Sequence, residues 1–381
     1  GLTACNDDVT EVPFPTTPPQ ESREWLFDVY GNSANDVYVG GNLGTMFHFD
    51  GSTWSLQSMG SSAVITSIWS PPTESVMYAV GHGGKIWRNT GSGWSGMQSG
   101  TNQNLFGIGA YGSTLHAVGA NGTIRRMSGS SWGSAGSVMV ILDENAAPID
   151  TLNTTKDLSS MVSVSHYFLG GAFFDPRFEG ERFGIAGTKG NVLAPNNEAE
   201  ITADWILRPI SGEQLVESEW VLAMSSDPAT LSRNFLGTSE GWLFKLIRDD
   251  DGKNVWQKFY PELTDDPSAG IRDIWVDASG NVYVVTDEGR VIYQTADYNF
   301  VEGTGSRETL YDDPSSLVGI WGSGPDNLYF TGYIDEAVLH GVHDTGAGTF
   351  TVDKIDLVFP NKAAGSSTLV PGLDEIGRPL R

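Results

Sequence analysis

Three times in the first third of the chain a turn glycine is followed ten residues later by a tryptophan: Gly44 and Trp54, Gly84 and Trp94, Gly122 and Trp132. Such a spacing, recurring at about forty residues, marks a structural repeat and restricts the fold to architectures that stack one unit. The unit is clearest over 26–31, 36–41, 45–50 and 53–55, four short apolar or alternating runs. Gly, Asn, Asp and Ser separate them, the pattern of a strand meander. Asn-Gly and Asp-Gly turns supply the positive φ that tight hairpins demand. A second copy runs over 65–69, 78–81 and 85–87 to Trp94, and a third over 105–108, 115–119 and 123–124 to Trp132.

Looser copies follow. The fourth has Gly187, Gly190 and Trp205, and the fifth Gly237, Gly241 and Trp256. The sixth has Ile271, Trp275, Gly289 and Tyr293, and the seventh Leu317, Trp321, Gly332 and Leu339, its turn glycine replaced. A lone four-stranded sheet cannot cover both faces, whereas copies arranged radially cover one another. The chain is therefore expected to be all-β, a seven-bladed β-propeller of four-stranded antiparallel blades over 25–357, with the recurrent tryptophan wedged between blades. Closure by the last blade meeting the first, or by an N-terminal strand completing the last blade, remains open at the level of sequence. The 47 glycines, about twice the usual roughly 7%, fit a hairpin-rich chain.

Charge narrows the partners. Lysine and arginine number 22 against 47 acidic residues, a formal net charge of −25, and such a surface repels phosphate backbones and anionic headgroups. Nucleic acid is not an expected partner. No run approaches the ~20 apolar residues of a membrane span. Residues 358–381 read as a C-terminal tail. Residues 1–24 read as a tether, with Pro13, Pro15, Pro18 and Pro19 making an extended, semi-rigid segment. Leu2, Thr3, Ala4 and Cys5 at its start resemble the lipobox of bacterial lipoproteins. That resemblance implies a diacylated Cys5 as lipid anchor and a periplasmic or outer-surface body. Cys5 is the single cysteine, which excludes an internal disulfide and a CxxC-type zinc site.

The string from Val80 to Trp87 followed by Gly93 and Trp94, with Gly40–Gly44 and Asp50-Gly-Ser-Thr-Trp54, resembles bacterial BNR or Asp-box propeller repeats. The repeats are similar to those of non-enzymatic propellers that assemble or stabilise photosystem II and, more distantly, to sialidase-like propellers. The Asp-box places one residue between Asp and Gly, and Asp50-Gly51 lacks it. A sialidase-like site requires an arginine cluster. The first blade holds no arginine, its nearest being Arg23 and Arg88, and Arg125, Arg126, Arg233 and Arg272 share no position within their blades. Other glycosidases need only two carboxylates about 5 to 9.5 Å apart, a condition 47 acidic residues leave open.

Metal ligands do not assemble in the sequence. His340 and His343 are three apart on an expected strand, which puts them on opposite faces. The acidic run 249–254 lacks both the leading carboxylate and the closing glutamate of a calcium loop and reads as a hairpin tip. His48, His82 and His116 stand at different offsets from their turn glycines and form no ring. No glycine-rich phosphate loop lies between a strand and a helix. No cofactor or metal is expected, and no catalytic residue.

The longest departure from the repeat separates Gly122 from Gly190 by 68 residues. Val138–Leu142 is expected to complete the third blade and 161–164 to begin the fourth, with insertions within about 143–181. Insertions in repeat proteins gather on one face and often bind partners. Aromatics are enriched at interfaces, which makes Tyr167, Phe168, Phe173, Phe174 and Phe178 the candidate contact residues. The alternative is that several of them belong to the core between blades. The function expected is non-catalytic: an extracytoplasmic accessory or stabilising subunit that binds the subunits of a membrane protein complex, photosynthetic or electron-transferring. A carbohydrate-binding or glycoside-cleaving surface lipoprotein, with its site at the central funnel, is the alternative.

Overall fold

The structure, a computed structural model, describes residues 25–359 except 72–74, 112–113, 120–122, 135–137, 143–147, 153–166, 176–179, 188–190, 196–203, 210–220, 226–232, 239–240, 249–253, 259–268, 300–303, 313–314 and 335. Over 135–221 it describes backbone strands without their side chains. Cys5, the 1–24 tether and the tail beyond 359 lie outside the described residues.

Every described regular element except two short 3-10 turns, Asn42–Gly44 and His82–Gly84, is a strand. β1 (Leu26–Ser33), β2 (Asp36–Gly41), β3 (Met46–Phe49) and β4 (Trp54–Leu56) form an antiparallel meander. β5 (Ile65–Trp69), β6 (Met77–Gly81), β7 (Lys85–Asn89) and β8 (Trp94–Met97) repeat it. So do β9 (Leu105–Tyr111), β10 (Thr114–Gly119), β11 (Thr123–Ser128) and β12 (Ser131–Ser134). A six-stranded sheet follows, built from β13 (Val138–Leu142), β14 (Pro148–Leu152), β15 (Tyr167–Asp175), β16 (Gly180–Gly187), β17 (Asn191–Pro195) and β18 (Asp204–Pro209). The four-stranded meander then resumes with β19 (Val221–Ser225), β20 (Phe235–Thr238), β21 (Leu243–Arg248) and β22 (Asn254–Lys258). β23 (Ile271–Val276), β24 (Val282–Thr286), β25 (Arg290–Gln294) and β26 (Arg307–Asp312) make another. The last holds β27 (Leu317–Gly324), β28 (Asn327–Gly332), β29 (Ala337–Asp344) and β30 (Thr349–Asp356).

The sheets stand in a propeller arrangement. The first strand of each meander lies beside the first strand of the next, from β1 to β5, β9, β15, β19, β23 and β27, and β27 lies against β1. Second strands are sandwiched between neighbouring sheets and buried on both faces, as in β6 and β24, which explains their unbroken apolar runs. Outermost β30 instead alternates exposed and half-buried positions.

The core is divided among the seams between sheets. One cluster joins Tyr38 and Met46 of the first sheet to Ile65, Met77 and Trp87 of the next. Another joins Tyr78 and Ile86 to Leu105, Leu115 and Trp132. The expected tryptophan wedge is present where side chains are described. Trp94 meets Tyr38 of the preceding sheet edge-on at 5.8 Å, and Trp54 meets Tyr329 at 5.9 Å. An edge-to-face pair of this kind contributes about 0.5–1.5 kcal/mol beyond its buried area.

Among the described residues no backbone ladder joins one inner strand to the next, and side chains bridge that gap. Asp28 accepts from its neighbour Val29 N at 2.9 Å and, across the seam, from Ile68 N at 2.6 Å. Asp273 does the same for Ile274 N at 2.8 Å and Ile320 N at 2.9 Å. Thr66 donates to the carbonyl of Leu105 in the next sheet at 2.6 Å.

Closure is by the last sheet meeting the first. A single bridge, Leu26 to Gly332, joins β1 to β28. Behind it Leu26, Val39, Phe47, Tyr329, Val338 and Leu357 form one cluster. Packing continues past β30, for Phe359 lies edge-on to Phe47 at 5.0 Å.

One assignment is corrected. Val138–Leu142 does not complete the third meander, because β12, which carries Trp132, already occupies that edge. The apolar run instead pairs parallel to β18 and antiparallel to β14. The ten-residue spacing itself required this, since the tryptophan marks the outermost strand. Residues 161–164 lie outside the described residues.

Candidate functional site

The expected contact residues divide. Phe178 lies outside the described residues. Tyr167, Phe168, Phe173 and Phe174 fall on β15, described as backbone, which pairs with β16 and lies beside β9 and β19. The sequence pattern puts them in an insertion. The structure makes them an inner strand, with Phe173 opposite Arg182 and Phe174 opposite Glu181.

The described histidines lie on separate elements, apart from His340 and His343 on β29. His48 Nε2 lies 2.7 Å from Asp36 Oδ1, and its ring stacks on Tyr38 at 4.2 Å. Burial and the Asp36 charge push the Tyr38 phenol up to about 12. His340 and His343 do face opposite seams. His340 Nε2 is 2.9 Å from Asn327 Oδ1 beside Tyr329, whereas His343 Nδ1 is 2.8 Å from the Tyr283 hydroxyl. Burial raises the Tyr283 phenol and lowers the His343 imidazole. His82 in its turn and His116 on β10 are each pushed down to about 4, by burial first. Tyr38, Tyr283, His82, His116 and His343 are thereby held neutral at physiological pH.

Among the described residues, Arg272, Arg233 and Arg125 engage separate partners. Arg272 on inner strand β23 lies 3.4 Å from Asp287. Arg233 donates to the carbonyl of Ala278, and Arg125 reaches back across a seam to Ser99 O at 2.7 Å. No group of three or more His, Cys, Asp or Glu side chains suited to a metal ion occurs among the described residues. Of the acidic run, 249–253 lies outside the description, and the flanking Arg248 and Asn254 are paired as in a hairpin.

Hairpin tips show what the Asp-Gly strings do. Asp50 Oδ1 accepts from Ser52 N at 2.9 Å and Thr53 N at 2.8 Å, folding the turn that delivers Trp54. Asn89 caps Gly91 N and Gly93 N ahead of Trp94, and Asp344 caps Gly346 N and Ala347 N. These polar residues shape turns.

A recess that the sequence pattern did not single out lies at the outer rim. It opens between the exit segment 57–61 and strands β7 and β8, with a volume of about 640 Å³. Trp87 and Trp94 line it, with Met59, Met97, Gln57, Gln98 and several serines, and Lys85 is its single charged side chain. Gly60, Gly93 and Gly96 also line it, and an added Cβ at each would meet nothing within 4 Å. The signal was present in the repeat: two residues after the tryptophan stand Leu56, Gly96 and Ser134, and the middle copy has no side chain.

No protein-family model matches the chain, and no curated protein matches it by sequence. Solved structures do. YCF48 from Cyanidioschyzon merolae superposes with a TM-score of 0.56 at 15% identity, covering 86% of this chain and 96% of that one. YCF48 bound to a D1 peptide gives 0.54 at 14% identity, covering 84% and 93%. The extracellular domain of BT4673 from B. thetaiotaomicron gives 0.57 at 13% identity, covering 83% of this chain and 38% of that one. At such identities the likeness establishes the fold: this chain is similar to these propellers in architecture.

Proposed function

We propose that the chain is a non-catalytic, seven-bladed propeller that serves as an accessory or stabilising subunit of a membrane protein complex, photosynthetic or electron-transferring. It works on the extracytoplasmic side of a bacterial membrane, held there by an acylated Cys5. The observation that carries this reading is the similarity, over most of both chains, to a propeller solved with a bound D1 peptide. The succession of first strands from β1 to β27 and back supports the blade count. The histidines and arginines described above are spent on packing and turns, which favours binding over catalysis. A disc on a tether presents a broad surface to a partner in the same membrane at raised effective concentration.

The test is gentle solubilisation of native membranes, isolation of this chain, and analysis of co-purifying subunits together with the absorption spectrum. Stoichiometric partners that survive washing support the reading, and pigment or haem bands name the complex. A chain recovered alone overturns it and turns attention to glycan binding at the funnel. Cys5→Ser in the full-length precursor is expected to move the protein from the membrane to the soluble fraction. Unchanged membrane retention would remove the lipid anchor from the proposal.

A further inference from the structure

The recess at the rim acquires meaning from the seams on either side of it. All three share a plan, in which the chain leaving one sheet lays a residue against the third strand of the next. Between β5–β8 and β9–β12 that residue is Ser99, whose carbonyl accepts from Arg125 Nε at 2.7 Å. Between β1–β4 and β5–β8 it is Met59, whose carbonyl accepts from Trp87 Nε1 at 3.0 Å. Trp87 and Arg125 hold the same register, paired with Ala79 and Ala117 on the second strand. Gly60 and Gly100 follow Met59 and Ser99 with the same positive φ, 61° and 72°.

Two of these seams are filled from within the chain. Where the last sheet meets the first, the Phe359 ring packs on Phe47. In the seam after the recess, the Arg125 guanidinium extends past Ser99 to the carbonyl of Trp132 at 3.3 Å. A Cβ on Gly100 would strike Arg125 Nη2 at 2.5 Å, while a Cβ on Gly60 would strike nothing. The recess is therefore the space that a guanidinium occupies one seam later. Trp87 fills the base of that position but stops at Met59, so the outer part stays open.

We propose that this open seam is a docking site for an arginine side chain carried on an extended, basic segment of a partner protein. The inference rests on the protein-interaction reading above and names the chemistry of one contact. By register the carbonyl of Trp94 corresponds to the carbonyl of Trp132 that Arg125 uses, and Gln57 and Gln98 line the same space. Trp94, half-buried beside Tyr38, supplies an indole surface suited to a planar cation. The net charge of −25 favours the approach of a basic segment over an acidic one. Lys85 at the mouth opposes it and offers a control.

The test uses a fluorescent, acetylated and amidated pentapeptide with a central arginine flanked by glycine and serine, with citrulline and glutamate versions, titrated against the purified chain by anisotropy. The arginine peptide is expected to bind about tenfold more tightly than the citrulline peptide, the factor a desolvated cation–π and carbonyl contact supplies. Lys85→Gln should tighten the arginine peptide about threefold by removing a like charge at the mouth. Gly96→Leu, which restores the side chain that the first sheet carries at Leu56, should abolish binding while leaving the melting temperature unchanged. Should Gly96→Leu lose stability, Gly96→Ser, the residue found at Ser134, takes its place and should weaken binding. Equal binding of the arginine and citrulline peptides, preference for glutamate, or weaker binding in Lys85→Gln overturns the proposal. Membrane subunits that co-purify equally with wild type and Gly96→Leu would leave the accessory reading standing and remove this contact from it.

Discussion

At the scale of single residues, a small set of polar side chains does the joining that a propeller's backbone cannot. Asp28 and Asp273 each gather two N–H groups, one of them from the next sheet, at distances down to 2.6 Å. Leaving those donors unmet in a half-buried seam costs about 1–3 kcal/mol. Asp28→Ala and Asp273→Ala are each expected to lower unfolding free energy by that amount in urea melts. The two sites lie in different seams, so the double variant should show the sum. A marked shortfall from additivity would mean that the seams relax together. His116 offers a second reading of the same kind. It occupies the position that holds Tyr38, Tyr78, Phe235, Tyr283 and Tyr329 in other sheets, as the pairing registers show. Burial holds it neutral with its titration lowered to about 4, against 6.5 in the unfolded chain. The unfolded state therefore binds more protons between those values, so stability present above about pH 6.5 falls as pH drops toward 4 and levels off below it. His82 acts in the same window and sense. His116→Phe should flatten the decline between pH 6.5 and 4 by one group's share, measured as unfolding midpoints across that range. An unaltered slope would place the proton uptake elsewhere.

At the scale of elements, the wedge between sheets does more for stability than the hairpin edge. Trp87 is only 2% exposed, and its indole bonds the Met59 carbonyl from the neighbouring chain segment. Trp87→Ala removes a buried aromatic and its hydrogen bond, an expected loss of about 3–5 kcal/mol. Leu56→Ala on the 42%-exposed rim should change stability by less than about 0.5 kcal/mol. Chemical denaturation of both variants decides this, and similar losses would mean the rim is covered in solution. Much of this element scale was legible beforehand. The glycine-to-tryptophan spacing located the turn between second and third strands and the outermost strand in each early copy, since both rest on local turn geometry and a fixed hairpin length. The fourth unit was less legible. Val138–Leu142 reads as a strand equally well in two sheets, and only the parallel partner at β18, far along the chain, chooses between them. Tyr167–Asp175 reads in sequence as part of an insertion because the long gap before it hides its register; its pairing with β16 is what defines it as a strand. The rim recess escaped for a different reason. It arises from a missing side chain at Gly96 and the conformation of Gly60, and an absence leaves no mark in a search for chemical motifs.

At the scale of the whole molecule, the ring has a place where it starts and stops, and the structure spends little backbone on closing it. No strand is exchanged across that seam among the described residues; one bridge at Leu26 and Gly332 and an apolar cluster hold it. Other seams are linked by continuous chain, so opening one of them still leaves a tether, whereas the first and last sheets are joined only through the full circuit. The free energy of local opening should therefore be lowest here. Phe359 is the residue best placed to show it, because it follows β30 and packs on Phe47 of β3 without belonging to either sheet. Phe359→Ala is expected to quicken amide exchange in β1, β3, β29 and β30, with β6 and β24 on the sheltered second strands left nearly unchanged. Hydrogen exchange read by mass spectrometry resolves the two groups. A uniform rise across all sheets would mean that the ring opens only by global unfolding, and that a propeller closed by packing and a single bridge is as cooperative as one closed by a shared strand.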